Sequence, residues 1–196
     1  MSQLHTPLQI GSVQLPNRIF MAPLTRMRAF EQRSVGDLQV EHYRQRATAG
    51  LILTEATSVC PMGVGYPNTP GIWSAQQVAG WKRVTDAVHA AGGHIAVQLW
   101  HVGRISDPEL LYGQLPVAPS AIAAEGVVSV LRPKRPYAVP RALETAEIAG
   151  IVQDFVQAAR NAKEAGFDFI VVLAANGYLF AQFLLEGSNQ RTEQYG

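Results

Sequence analysis

Apolar positions along the chain follow two rhythms that take turns. Four segments are nearly continuous in apolar residues: "RIFMAPLT" (18–25), "LILTEATSV" (51–59), "HIAVQLWH" (94–101) and "DFIVVLAAN" (168–176). Each has the length and composition of a strand buried on both faces. Ahead of the first, "LQIGSVQLPN" alternates about Gly11-Ser12 and predicts a small hairpin over 8–17. Between the strands the spacing becomes helical. "LQVEHYRQRATAG" predicts a helix closed by Gly50, a residue that tolerates positive φ past the last turn. "SAQQVAGWKRVTDAVHAAGG" puts Val78, Trp81, Val84 and Val88 along one face, with Ser74 as N-cap and Gly92-Gly93 as the stop. "TAEIAGIVQDFVQAARNAKEAG" predicts a third helix from an N-cap at Thr145 to Gly166, and "LFAQFLLEG" begins a fourth.

Strands without polar alternation, separated by amphipathic helices, predict an α/β fold with four parallel strands and the helices outside. Four βα units make either a small open sheet or the (β/α)4 half of a TIM (β/α)8 barrel, here as a single domain over 1–196. A dinucleotide-binding sheet would need a glycine-rich turn after its first strand, and "MAPLTRMR" has no glycine. The stretch 102–144, rich in proline and glycine, is too long for an ordinary connection and predicts either a functional loop or a disordered one.

Composition narrows the function by exclusion. The 196 residues are 47% hydrophobic and 16% charged, with a net charge of +1 and no basic or acidic block. That pattern gives no electrostatic support to a nucleic-acid or membrane-surface partner. One cysteine, Cys60, rules out an internal disulfide framework, and the N-terminal residues lack a signal-peptide pattern, so the expected location is cytoplasmic. No metal-ligand set is assigned. In parallel α/β folds ligands sit at the carboxyl ends of strands. Those ends deliver Ala22, Pro23, Leu24 and Thr25; Glu55, Ala56 and Thr57; Gln98, Trp100 and His101; and Asn176 and Tyr178. A hydroxyl, a carboxamide and an indole on one rim suit a flat heteroaromatic ligand. The alternative is that these groups only bond their own turns.

Six stretches, "MAPLTRMR", "YRQRATAGLILTEATSV", "GVGYPNTPGIWS", "QLWHVGRIS", "ANGYL" and "NQRTEQYG", together resemble the Old Yellow Enzyme family, near its bacterial xenobiotic and N-ethylmaleimide reductases. The resemblance covers essentially the whole chain in order. It implies an FMN-dependent, NAD(P)H-driven ene-reductase on a (β/α)8 barrel. Matched by position, the flavin would take backbone from Pro23, the Thr25 hydroxyl, the neighbourhood of Ala56 and a bond from Gln98. Tyr66 and Trp100 would line the substrate pocket. Tyr178 would give a proton to the substrate Cα after hydride reaches Cβ.

Against that pattern, "LAANGY" carries Leu173 where the family has the first histidine of H-x-x-N, leaving Asn176 without its substrate-orienting partner. Leucine has no donor, so it cannot polarise a carbonyl or nitro group. Phe169, Val171 and Leu173, two apart, share the face that would be the barrel's inner wall, where the resemblance implies glycine, glutamate and histidine. Ala181 and Leu185 replace polar residues and are expected on one helix face, and Asp107 stands where histidine is common. The resemblance also implies four further strands bearing the flavin-phosphate site. These features predict a truncated or engineered half-barrel scaffold that pairs through Phe169, Val171, Leu173, Ala181 and Leu185. Its partner would be a second copy or a complementary half, and catalysis alone would be slight. A second reading is a working FMN enzyme after such assembly, and a third is a fragment folded around its own core.

Overall fold

The computed structural model describes residues 3–196. Its first two strands form the expected hairpin, β1 (Leu8–Ile10) antiparallel to β2 (Val13–Leu15), turned at Gly11 with φ 56°. Then follow β3 (Phe20–Met21), α1 (Asp37–Arg44), β4 (Leu51–Ser58), α2 (Ala75–Ala90) and β5 (Ile95–Trp100). After two short strands, β6 (Val117–Ala118) and β7 (Arg141–Ala142), come α3 (Thr145–Glu164), β8 (Phe169–Val172) and α4 (Leu179–Leu184). Strands β3, β4, β5 and β8 lie side by side in that order, all parallel, which is the (β/α)4 half of a TIM barrel.

The two faces of this sheet are covered differently. On the outer face Ile52, Ile95, Val97 and Leu99 pack against Tyr43 of α1, the Val78, Trp81, Val84 and Val88 stripe of α2, and Ala158 and Ala162 of α3. On the inner face Leu51, Leu53 and Ala96 meet Leu15 and the rest of the hairpin, which plugs the amino-terminal end of the strands. Ser74 caps α2 as expected, its hydroxyl accepting the Gln77 N–H at 3.3 Å, and Gly92 at φ 78° and Gly166 at φ 89° end α2 and α3.

Strand β4 holds an irregularity. Leu53 pairs with Ala96 and Ala56 with Gln98, so Thr54 and Glu55 together face the single residue Val97. This is a β-bulge, one extra residue in one strand. Strict alternation from Leu53 would send Glu55 inward and Ala56 out; the extra residue returns Ala56 to the inner face.

Several expectations are corrected. The first strand spans two residues rather than 18–25, because Pro23 has no N–H to pair and β3 has a neighbour on one side only. Gly50 is not at positive φ; α1 has already ended, and a Cβ there would lie 2.1 Å from the Asn17 carbonyl oxygen, so the glycine serves close backbone approach. Helix α3 starts at Thr145 with Glu144 as N-cap, and the Glu147 carboxylate accepts the Glu144 N–H at 2.8 Å. The Thr145 hydroxyl instead accepts from Arg191 and donates to Glu193. The 102–144 stretch is folded: β6 pairs with β7, and Arg135 donates to Asp107 at 2.8 Å and to Glu109 at 2.7 Å.

The surface assigned to pairing is also rearranged. Phe169 and Val171 do face inward, but they are half-buried against the chain's own hairpin cluster, and Leu173 packs with Trp100 and Tyr178. The outward residues of β8, Ile170 at 45% and Val172 at 44% exposed, are the open ones. Ala181 is buried, and Leu185 lies just past the end of α4 in an extended conformation, so the two do not share a helix face. Exposed apolar side chains also mark the opposite edge, at Ile19, Phe20 and Leu24. An apolar groove of about 460 Å³ runs between α3 and α4, lined by Val152, Phe155, Phe183 and Leu184 among others. Among the described residues no helix is long and apolar enough to cross a membrane.

Candidate active site

The carboxyl ends of β4, β5 and β8 converge on one aromatic cluster. Ala56, Trp100 and Val102 are buried there, with Tyr66, Ile105, Leu173 and Tyr178 packed around them. Tyr66 stacks on Trp100 with ring centres 5.5 Å apart and planes 21° from parallel, while Tyr178 meets the same indole edge-on at 5.0 Å. The Trp100 indole N–H is anchored by the Ser58 hydroxyl at 3.0 Å. With both rings resting on one fixed platform, the Tyr66 and Tyr178 hydroxyls come within 3.1 Å of each other.

"ANGY" brings Tyr178 back to this platform. Asn176 and Gly177 have φ 60° and 72°, and the Tyr178 N–H returns to the Ala175 carbonyl at 3.3 Å. Two consecutive positive-φ residues are what a tight primed turn demands, and Asn-Gly is the pair that tolerates them best. The chain leaves β8 at Val172, reverses, and enters α4 with Tyr178 as its N-cap residue.

Gln98 is placed beside Ala56 by the ladder, both on the inner face. The Gln98 carboxamide, like the Thr25 hydroxyl, makes no hydrogen bond among the described residues. Pro23 and Thr25 are half-buried on the segment after β3, and Asn176 is exposed with no side-chain bond among the described residues. The structure therefore gathers Ala56, Tyr66, Trp100, Leu173 and Tyr178 into one cluster with Gln98 next to it. Asn176 is exposed on the turn between Leu173 and Tyr178, and its side chain bonds to none of these residues.

Electrostatics favour a protonated Tyr178. Burial first, and then the Tyr66 hydroxyl, push its phenol above the ordinary tyrosine value. His101, at the end of β5, is fully buried; burial brings its imidazole down to about 4. Its Nδ1 accepts the Gly103 N–H at 3.1 Å, which leaves the proton on Nε2. Sequence reasoning missed the Tyr66–Tyr178 hydroxyl pair, because 112 residues separate the two and only the shared Trp100 platform joins them.

Known proteins share this sequence and fold. The sequence profile of the NADH:flavin oxidoreductase / NADH oxidase family matches residues 3–196. A flavin oxidoreductase of Emericella nidulans is 44% identical over 203 aligned residues, which take in 98% of this chain and 51% of the relative. A putative 12-oxophytodienoate reductase of Oryza sativa subsp. japonica is 44% identical, covering 98% of this chain and 50% of its own length. The solved structure of morphinone reductase in complex with tetrahydroNAD superposes with a TM-score of 0.94 at 55% identity, over all of this chain and 56% of that one. The old yellow enzyme homologue from Zymomonas mobilis gives 0.95 at 46% identity, over all of this chain and 55% of that one. The chain spans about half the length of the curated relatives it matches. With the family profile running through the whole described fold, this protein belongs to the FMN-dependent NADH:flavin oxidoreductase family, the Old Yellow Enzymes.

Proposed function

We propose that the chain forms the proton-donating and flavin-facing half of a reductase for activated C=C or nitro compounds, driven by NAD(P)H. FMN is the family's cofactor, and the residues present fit its ring. Gln98 and Thr25 offer hydrogen-bonding groups unused among the described residues, and Ala56 leaves the inner face flat between them. The Pro23 backbone and Thr25 would hold one edge of the ring and Gln98 the other. When bound, the cofactor supplies the two electrons of the reduction.

The protein's part is to position and protonate. Tyr66, backed by the buried Trp100 indole, forms an apolar wall that excludes water from an unsaturated substrate. Tyr178 gives its proton to the substrate carbon next to the activating group. A phenol that keeps its proton at neutral pH is a serviceable acid there, and the Tyr66 hydroxyl holds it in place and in its protonated form. The observation that carries this reading is the Tyr178 hydroxyl fixed 3.1 Å from that of Tyr66, over one stacked indole. A nicotinamide donor is supported by the tetrahydroNAD ligand of morphinone reductase. Leu173 offers no donor to the substrate's activating group, a loss that typically costs on the order of 10²–10³ in rate.

The site is completed when further strands cover the two open edges of the sheet, from a second copy or a complementary half-barrel, in the cytoplasm. Unpaired backbone on β3 and β8 and the apolar residues flanking them support this association. Alone, the chain binds FMN weakly and turns over little. Mixing the protein with FMN, reducing with NADPH and adding 2-cyclohexen-1-one tests the chemistry. Bound flavin should bleach with NADPH and regain its colour slowly with the enone. Flavin that never associates with the protein, or that bleaches without enone-dependent recovery, would overturn the reading.

A further inference from the structure

Two buried residues outside the aromatic cluster fix the geometry of the bulge in β4. Tyr43 and Glu55 are both fully buried. The Tyr43 hydroxyl accepts the Glu55 backbone N–H at 3.0 Å, the group that the bulge leaves without a ladder partner. The same hydroxyl donates to Glu55 Oε1 at 3.2 Å. Glu55 Oε2 in turn accepts the backbone N–H of Arg26 at 3.4 Å, next to Thr25. On the other side, Thr54 Oγ1 accepts the Gln98 N–H at 3.2 Å and donates to the Glu55 carbonyl at 3.0 Å. The Thr57 hydroxyl reaches that carbonyl too, at 3.0 Å.

We infer that Tyr43 and Glu55 are positioning residues for the flavin-facing groups, an inference that rests on the function proposed above. Through the bulge, one phenol on α1 is tied to the segment bearing Pro23 and Thr25, to Ala56, and to the strand carrying Gln98. Neither side chain reaches the inner face. Tyr43 instead stabilises the extra residue that turns Ala56 inward and Glu55 outward. A Tyr43→Phe change leaves a buried N–H and a buried carboxylate oxygen unpaired, each a costly orphan. A Glu55→Gln change keeps one acceptor for Arg26 but sets an NH₂ against the Tyr43 O–H, so donor faces donor.

Amide hydrogen exchange tests the positioning without any flavin. In Tyr43→Phe or Glu55→Gln, the Arg26 and Glu55 amides should exchange at least about tenfold faster relative to Ile52, the size of one lost hydrogen bond. Val84→Ala, a core truncation under α2, should raise exchange at all three amides alike. In the assembly with FMN, both clamp variants should weaken FMN binding by a similar factor relative to wild type, and Val84→Ala should not. Unchanged exchange ratios in both clamp variants would overturn the inference. So would an equal loss of FMN affinity in Val84→Ala. If wild-type protein binds no flavin in any assembly, the proposed function fails instead, and the exchange ratios alone decide whether the clamp exists.

Discussion

Tyr178 and Leu173, on either side of one turn, pull the chemistry in opposite directions. Tyr178 retains an acid's environment: it is half-buried, braced by Tyr66 and raised above its usual pKa by burial. Leu173 sits in the same cluster and brings only carbon. Tyr178→Phe should therefore lower enone-dependent flavin reoxidation by about 10²–10⁴ while leaving NADPH-dependent bleaching unchanged, because only the second half-reaction uses the proton. Leu173→His should raise the same reoxidation rate by about 10²–10³ by restoring a donor. Stopped-flow absorbance at the flavin band separates the two half-reactions. His101 gives a pH signature of its own. Burial depresses its folded-state pKa to about 4 from an ordinary value near 6.5. A depressed pKa contributes stability that is complete above the unfolded value and is lost as pH falls toward the folded one. Melting temperature should thus decline between about pH 6.5 and pH 4, and His101→Gln should flatten that slope. His42, also held down to about 4 by burial and the nearby Arg26 and Arg46, remains in both proteins and cancels in the comparison.

Glycines separate the reasons an element ends from the reasons it is built at all. At Gly50 a methyl would press into the Asn17 carbonyl, whereas at Gly150, inside α3, a Cβ meets nothing within 4 Å. Gly150→Ala should accordingly raise stability by roughly 0.5–1 kcal/mol through helix propensity, and Gly50→Ala should lower it, as thermal melts of the two variants would read. Much of this level was legible in the residues. Continuous apolar runs and the Val78, Trp81, Val84 and Val88 stripe give the order of strands and helices, since burial on both faces leaves little choice of pattern. Gln98, Trp100 and Tyr178 were legible as strand-end residues, but their separate roles, and Tyr66 altogether, came only through resemblance, because a site built from strand ends has no local period. What escaped was long-range. That the hairpin would cover Phe169 and Val171 depends on a contact across most of the chain. The bulge left one trace, the polar Thr54-Glu55 pair inside an apolar strand, but its partner Tyr43 lies on another element.

The whole molecule is a sheet well covered on its helical side and plugged by a hairpin at one end, yet open along both edges. Ile170 and Val172 on β8, Ile19, Phe20 and Leu24 around β3, and the groove between α3 and α4 are uncovered apolar surface. At roughly 25 cal/mol for each Å² of apolar area buried, a few such side chains per edge would contribute several kcal/mol to the proposed association. These are the surfaces that a barrel's remaining strands and helices would cover, and Ala56 and Gln98, proposed to face the flavin, lie on the strands between the two open edges. The central claim is that the cofactor site is real but is finished only in the covered state. Flavin absorbance recorded across a light-scattering-resolved elution of the protein with FMN tests it most directly. The account predicts flavin travelling with species of at least twice the 21.3 kDa chain mass. Stoichiometric flavin on the single chain, or assemblies that carry none, would contradict it.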